Sequence, residues 1–396
     1  MTVMIKKVYK MILLKKLVLF GTYCFFAIAF SLIASSCITG ESDKVTDDFK
    51  TQEIDFSMNI PSINSDAATT LRSIDLPQEN TIKTIDLVAF RKDNAGSYFD
   101  YYYPGTLAAN NIAGASTQNA RVKVRLASYA QDLVIIANAG TRVSDLVAKT
   151  VQNTSKETFL ANLVYSLSGT NPQWNALNAS SYDALPMWGE TSTTVTQNTT
   201  QLSVSVLRMV AKIDVQLDPT NLAALRNVFK LKSVNLYNIN TNGRIAPNST
   251  NVQQSGSNVS VTAPSLPATP GNYLGPVAYQ DFTAPGTQDV AMLGAVYLFE
   301  TQAPVSTDPL SPLAATCVVV GGIYSNDAAQ TYYRVDFLKN GIFQDILRNH
   351  RYVVNITSVT GSGYKTPDEA YRNKAVNMGV NIVVWDENNN YNVTLQ

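Results

Sequence analysis

From residue 53 onward the chain alternates apolar and polar positions two by two, the pattern of strands that bury one face. Ile54, Phe56, Met58 and Ile60 alternate with polar neighbours and stop at Pro61. Val122, Val124 and Leu126 alternate in RVKVRLAS, and Leu202, Val204 and Val206 in QLSVSVLR. TIKTIDLVAF is strand-like, and LVIIA (133–137) reads as a central strand closed by Asn138 and Gly140. MVAKIDVQL, KLKSVNLYNI, AMLGAVYLF, TCVVVGGIY, TYYRVDF, RYVVNITSV and MGVNIVVW supply further strands, punctuated by Gly, Pro, Asn and Ser. Helical signals are few and short. Ser144 can cap DLVAKTV, Thr154 with Glu157 forms a capping box before TFLANLV, and Asp218–Pro219 can open NLAALRNV. Many strands with so few helices predict an all-β fold of sandwiches. The polar run ETSTTVTQNTTQ places a domain boundary near residue 200, and residues 240–285 predict long surface loops with one or two short edge strands.

The first 37 residues follow a different pattern. Lys6, Lys7, Lys10, Lys15 and Lys16 precede an apolar run from Leu17 to Ile33, then Ala34, Ser35, Ser36 and Cys37. This is the layout of a secretory signal, at the short end for a spanning helix. A Cys directly after small residues resembles a lipoprotein processing site, which makes Cys37 the lipidated new terminus. Ala34 stands where such sites usually carry Leu. The alternatives are an ordinary signal with an incidental Cys, or a retained anchor helix. The polar, acidic ITGESDKVTDD that follows reads as a solvated tether.

Composition narrows the function classes. The 396 residues suit two domains, and 45% of them are apolar, enough for a sizeable core. Charged residues make up only 15% and the formal net charge is zero, so no nucleic-acid partner is expected. Beyond the signal only Cys317 remains, which excludes an intramolecular disulfide framework. His350 is the one histidine, so any Ser-His-Asp or Cys-His arrangement would need it. Neither HExxH nor a Walker A motif occurs, and no catalytic residue, metal or cofactor is expected. Asp100 beside Tyr101, Tyr102 and Tyr103 is either a sugar-stacking platform or a strand end with partly buried rings. Trp174 and Trp188 read as core residues. DENNN (386–390) reads as a turn, with weak calcium binding as the alternative.

Several segments in order resemble the fimbrillin family of the Bacteroidetes, the subunits of type V pili. IDFSMNI and ENTIKTIDLVAF resemble the amino-terminal part of the major, FimA-like subunit. LVIIANAG resembles the family's LVxxANxG strand, and LPMWGE (185–190) its PMxGE segment. VLRMVAKIDV (206–215) resembles RxxAKI, and RNHRYVVNI (348–356) resembles RNxxYxVNI. The closing VNIVVWDENNNYNVTLQ is similar to the family's last strand and tail.

The resemblance implies two transthyretin-like β-sandwich domains and a route of assembly. The chain would be exported as an outer-membrane lipoprotein, cut by an Arg-specific protease, stripped of its first strand and joined to other subunits by strand exchange. The implied segments are a signal peptide (1–37), a propeptide with the removable strand (38–72), and domains over 73–200 and 201–396. Arg72–Ser73, within NSDAATTLRS, is the expected cut; Arg91 and Arg121 fall inside predicted strands. The removable strand carries Ile54, Phe56, Met58 and Ile60. Tyr391, Val393 and Leu395 repeat its spacing and form the expected donor strand. Expected partners are other copies of the chain, other pilus subunits, the protease, and a glycan or host-protein receptor. The alternatives are a monomeric surface adhesin, an anchor or tip subunit, or a plain monomer whose first and last strands never exchange.

Overall fold

The structure is a computed structural model describing residues 49–61, 76–174, 182–255, 258–280, 288–305, 311–386 and 392–395. The chain falls into two compact units, Met1–Lys50 and Thr51–Gln396, and the sheets of the described residues lie in the second. The first half of that unit contains strands β1 Thr51–Asn59, β2 Ile85–Asp93, β3 Gly96–Pro104, β4 Thr117–Arg125, β5 Gln131–Ala137, β6 Met187–Thr193 and β7 Gln201–Ser205. One sheet runs Thr106–Leu107, β4, β1, β7. The other runs Leu207–Arg208, β6, β5, β2, β3. Alternate residues of both sheets meet in one core that includes Phe56, Met58, Val122, Val204, Leu87 and Ile135, which makes the pair a sandwich.

The second sheet of this sandwich is covered on both faces, so every residue of β5 is buried, and from Leu133 to Ala137 it reads as a continuous apolar run. Its outer face carries Val134, Ile136 and Trp188 against helices α1 Arg142–Val147 and α2 Lys156–Ala161, which contribute Val143, Phe159 and Leu160. The helices start elsewhere than their sequence suggests. Ser144 lies inside α1 and its hydroxyl donates back to the Thr141 carbonyl. Ser155, not Thr154, caps α2, its Oγ accepting from the Thr158 N–H. Asp218 does cap as expected, opening a 3-10 turn (Pro219–Asn221) that leads into helix α3 Leu222–Val228.

The second half contains β8 Val210–Leu217, β9 Phe229–Tyr237, β10 Ala291–Phe299, β11 Cys317–Tyr324, β12 Thr331–Asp336, β13 His350–Val359, β14 Met378–Asp386 and β15 Asn392–Leu395. Its sheets run β10, β8, β13, β14, β15 and Val277–Tyr279, β9, β11, β12. A core including Ile213, Val215, Val234, Leu236, Val320 and Val354 lies between them. Helix α4 Pro367–Arg372, which the sequence pattern missed, covers the far side through Ala370 and Tyr371, packed with Tyr237 and Cys317. The chain is therefore all-β with short helices.

Residues 240–285 depart from the expected surface loops. They hold several two- to four-residue strands, and Ile245, Ala246, Val259 and Val261 are buried. These side chains join the core that carries Trp188 of β6 and Phe299 of β10. The two halves thus share an apolar core as well as a chain crossing. Scattered apolar residues in an Asn- and Ser-rich stretch have no period to reveal such burial.

Charged residues also sit inside. The Arg348 side chain is fully buried, with Nη2 2.8 Å from Glu300 Oε2. Its guanidinium also donates to the Ile245 and Arg244 carbonyls at 2.7 and 2.9 Å. Lys212 of β8 meets the Glu79 carboxylate at 2.7 Å, both nearly sealed from water, and the Tyr297 hydroxyl donates to the same oxygen at 2.6 Å. Arg351 pairs with the fully buried Asp214 at 2.7 Å.

Removing one partner of a buried pair leaves a charge in an apolar setting and costs about 3–5 kcal/mol. Arg348→Met is expected to lower the unfolding free energy by that amount in urea titration. The Arg348→Met/Glu300→Leu double variant is expected to lose less than the sum of the two single losses. Burial pulls the Lys212 ammonium down, but the Glu79 and Asp214 charges more than offset this and raise its pKa. Burial and the Glu79 charge push the Tyr297 hydroxyl well up. Both groups bind protons more tightly folded than unfolded. Their contribution is complete below their unfolded values of about 10, and is lost as pH climbs through the folded ones. Thermal melts should be insensitive to these two groups from pH 7 to 9 and fall above roughly pH 10, with a shallower fall in Lys212→Met.

Candidate functional site

The first strand lies in a slot between two strands distant in sequence. It runs antiparallel to β4, with Ile54 opposite Val122 and Phe56 opposite Ala120. On its other side it runs parallel to β7, with Phe56 opposite Leu202 and Met58 opposite Val204. Alternation sends Ile54, Phe56, Met58 and Ile60 inward, where none is more than 2% exposed. Full burial of such side chains contributes roughly 1.5–3 kcal/mol each. The opposite face is solvated, and the Asp55–Arg121 pair there, more than half exposed on both sides, adds little.

Main-chain bonds continue past the ladder. The Asp55 N–H donates to the Thr200 carbonyl at 3.0 Å, the Val206 N–H to the Asn59 carbonyl at 2.9 Å, and the Ile60 N–H to the Ser116 carbonyl at 2.7 Å. The Gln52 amide donates to the Thr196 and Thr199 carbonyls. Among the described strands β7 pairs with β1 alone, so an empty slot would leave β4 and β7 as two facing open edges above an apolar trough. Gly189 of PMWGE closes the floor: a Cβ there would stand 2.4 Å from the Ser205 carbonyl oxygen.

The Pro61 end of the slot meets a polar cluster. Arg208, two residues beyond the contact made by Val206, is 5% exposed. Its Nη2 donates to the Pro61 carbonyl at 3.0 Å and to Asn80 Oδ1. Its Nε donates to the Glu79 carbonyl at 3.1 Å, and its Nη1 to Asn349 Oδ1 at 3.1 Å. Glu79 and Asn80 close a 3-10 turn, Pro77–Asn80, and Asn349 precedes β13. Arg208 therefore touches the chain before and after residues 62–75, and the second half of the molecule as well.

The other expected site residues fall elsewhere. Cys37, Arg72, Ser73 and Tyr391 lie outside the described residues, as do residues 387–390 of DENNN. Val393 and Leu395 belong to β15, paired antiparallel to β14 with Val393 opposite Val384 and Leu395 opposite Ile382. The tail strand is thus an edge of the second half's own sheet, apart from the slot. Arg91 and Arg121 lie within β2 and β4.

The residues weighed for chemistry are tied into the fold. His350 Nδ1 lies 2.8 Å from the Arg348 carbonyl oxygen. Cys317 is buried against Tyr237 and Tyr371, and burial pushes its thiol up to about 12, which keeps it protonated. Tyr101 is buried, with its hydroxyl donating to Gln131 Oε1 at 2.7 Å, and the Tyr102 hydroxyl donates to Asp86 Oδ1 at 2.7 Å. Trp174 and Trp188 are buried, as core residues are. Among the described residues no cluster of His, Cys, Asp and Glu is placed to hold a metal.

Sequence reasoning gave no role to Arg208, Glu79 or Asn349. The signal was present as an Arg and a Lys inside the apolar run VLRMVAKIDV, where an unpaired cation would be costly.

The family profile of the fimbrillin-A associated anchor proteins Mfa1 and Mfa2 matches residues 62–391. Among solved structures the chain is similar to the tip fimbrial protein Mfa3 from Porphyromonas gingivalis with C-terminal truncation. The identity is 14% and the TM-score 0.48, over 84% of this chain and 99% of that one. It is also similar to a fimbrial assembly protein from Parabacteroides distasonis ATCC 8503, at 12% identity and a TM-score of 0.45, over 88% and 100% of the two chains. No curated protein matches it. With more than half of its length matched by that profile, the chain belongs to the family of fimbrillin-A associated anchor proteins Mfa1 and Mfa2.

Proposed function

We propose that this chain is a structural subunit of a cell-surface fimbria serving adhesion, and that it assembles by exchanging its first strand. In this reading residues 1–37 direct export, Cys37 carries the lipid, and an Arg-specific protease cuts after Arg72. Residues 38–72 then leave, and the slot takes a strand with alternating apolar residues from another subunit. The observation that carries the reading is the seating of β1, held in a two-sided slot by four buried side chains and continued into the sheets only through residues 62–75.

The tail supplies the matching strand, with Tyr391, Val393 and Leu395 entering the places of Phe56, Met58 and Ile60. Among the described strands it is paired with β14 alone, over four residues. The slot offers it two ladders and an apolar trough. A second reading, a fimbrial anchor that keeps its lipid and first strand, is favoured by that same internal pairing and by the anchor proteins of the matching family.

Limited trypsin digestion of the chain lacking its signal, followed by mass spectrometry and electrophoresis without denaturant, separates the two. The expected result is a dominant cut after Arg72 and a ladder of oligomers. Deleting residues 391–396 should leave the cut and abolish the ladder. A chain that stays uncut at Arg72 and monomeric would overturn the exchange reading in favour of the anchor.

A further inference from the structure

Arg208 is fixed independently of the first strand. Its main chain pairs with Met187 of β6, and its N–H donates to Asn349 Oδ1 at 3.3 Å. Its guanidinium is held by the Glu79 carbonyl and by Asn349, neither of which belongs to β1. The turn bearing Glu79 is fastened in its own right. Glu79 meets Lys212 and Tyr297, the Asn80 amide donates to the Gly114 carbonyl at 3.1 Å, and the Gln118 amide donates to the Asn80 carbonyl at 2.8 Å. Among the described residues, the bond to the Pro61 carbonyl is what ties Arg208 to the leaving side. A cut within residues 62–75 would therefore leave the 77–80 turn in place, with the guanidinium still aimed at the end of the slot.

We propose that Arg208 is the positioning residue of the slot, binding the main-chain carbonyl that follows the last inward side chain of whichever strand occupies it. The proposal rests on the strand-exchange reading and adds to it a rule on how far the strand must extend. Three alternate apolar residues can enter a trough at several two-residue offsets. Offsets that carry the chain past the end of the slot put a carbonyl oxygen on the buried guanidinium, whereas offsets in which it stops short leave that Nη2 donor without the acceptor Pro61 provides. Strands that continue beyond their last apolar anchor are thus selected over strands that stop at it. In the register that sets Tyr391, Val393 and Leu395 on Phe56, Met58 and Ile60, that carbonyl belongs to Gln396.

The test uses the full chain nicked within residues 62–75, and the amidated peptides Thr51–Pro61 and Thr51–Ile60 as competitors for the slot. Displacement of the nicked fragment is followed by uptake of labelled peptide. In the parent protein the peptide that includes Pro61 is expected to bind roughly tenfold tighter or more, the scale of a hydrogen bond to a charged donor. In Arg208→Met this preference should shrink towards one. Arg208→Lys, which keeps a charge and a shorter donor, should fall between. A structural role alone would weaken both peptides equally. An unchanged preference in both variants would overturn the assignment and leave strand exchange standing. Failure of both peptides to displace the fragment would overturn strand exchange, and this inference with it.

Discussion

A carboxylate sealed from water carries much of the architecture. Glu79 leaves the first half of the chain on a short turn, yet its partners Lys212 and Tyr297 come from two strands of the second half. Burying a charge is costly unless it is paired and hydrogen-bonded, so these groups accept few other arrangements. The turn also offers its carbonyls, one to Arg208 and one to Gln118. Sheet packing supplies most of the stabilisation. The polar cluster fixes how the slot, the turn and the second sandwich are joined.

The inward and outward faces of β1 were legible because alternation alone specifies them, and Ile54, Phe56, Met58 and Ile60 are all buried as their spacing predicts. What alternation cannot give is the neighbour. β7 is also an alternating strand, and nothing local says that it lies parallel to β1. Helix caps were legible to within a few residues, since Ser, Thr and Asp compete for the same N–H groups; Ser155 won over Thr154. The burial of Ile245, Ala246, Val259 and Val261 was illegible because tertiary contact, not period, places them in the core.

The segments that carried the family resemblance have a physical explanation. Arg208 and Lys212 come from RxxAKI, Arg348 and Asn349 from RNxxYxVNI, and Glu79 opens ENTIKTIDLVAF. In space Arg208 meets Asn349, and Lys212 meets Glu79. Asn138 of LVIIANAG has a φ of 58° and joins three segments, accepting from the Lys83 N–H and donating to the Thr81 and Leu185 carbonyls. The recognisable residues are those with several simultaneous obligations. The partners they satisfy lie in other segments, which is why the sequence showed the residues but not the network.

The parallel pairing of β1 with β7 has a kinetic consequence. Asn59 and Ser203, which share a hydrogen bond across the two strands, are 144 residues apart. Closing so long a loop is entropically expensive, and contacts of such separation form late. As the chain emerges from its amino terminus, β1 is available long before β7 has been delivered. In the interval it is an apolar strand with an unpaired edge, exposed to any complementary strand nearby. Placing that strand first and its partner so far along makes the growing chain dependent on being kept apart from its own kind until residue 206 has arrived.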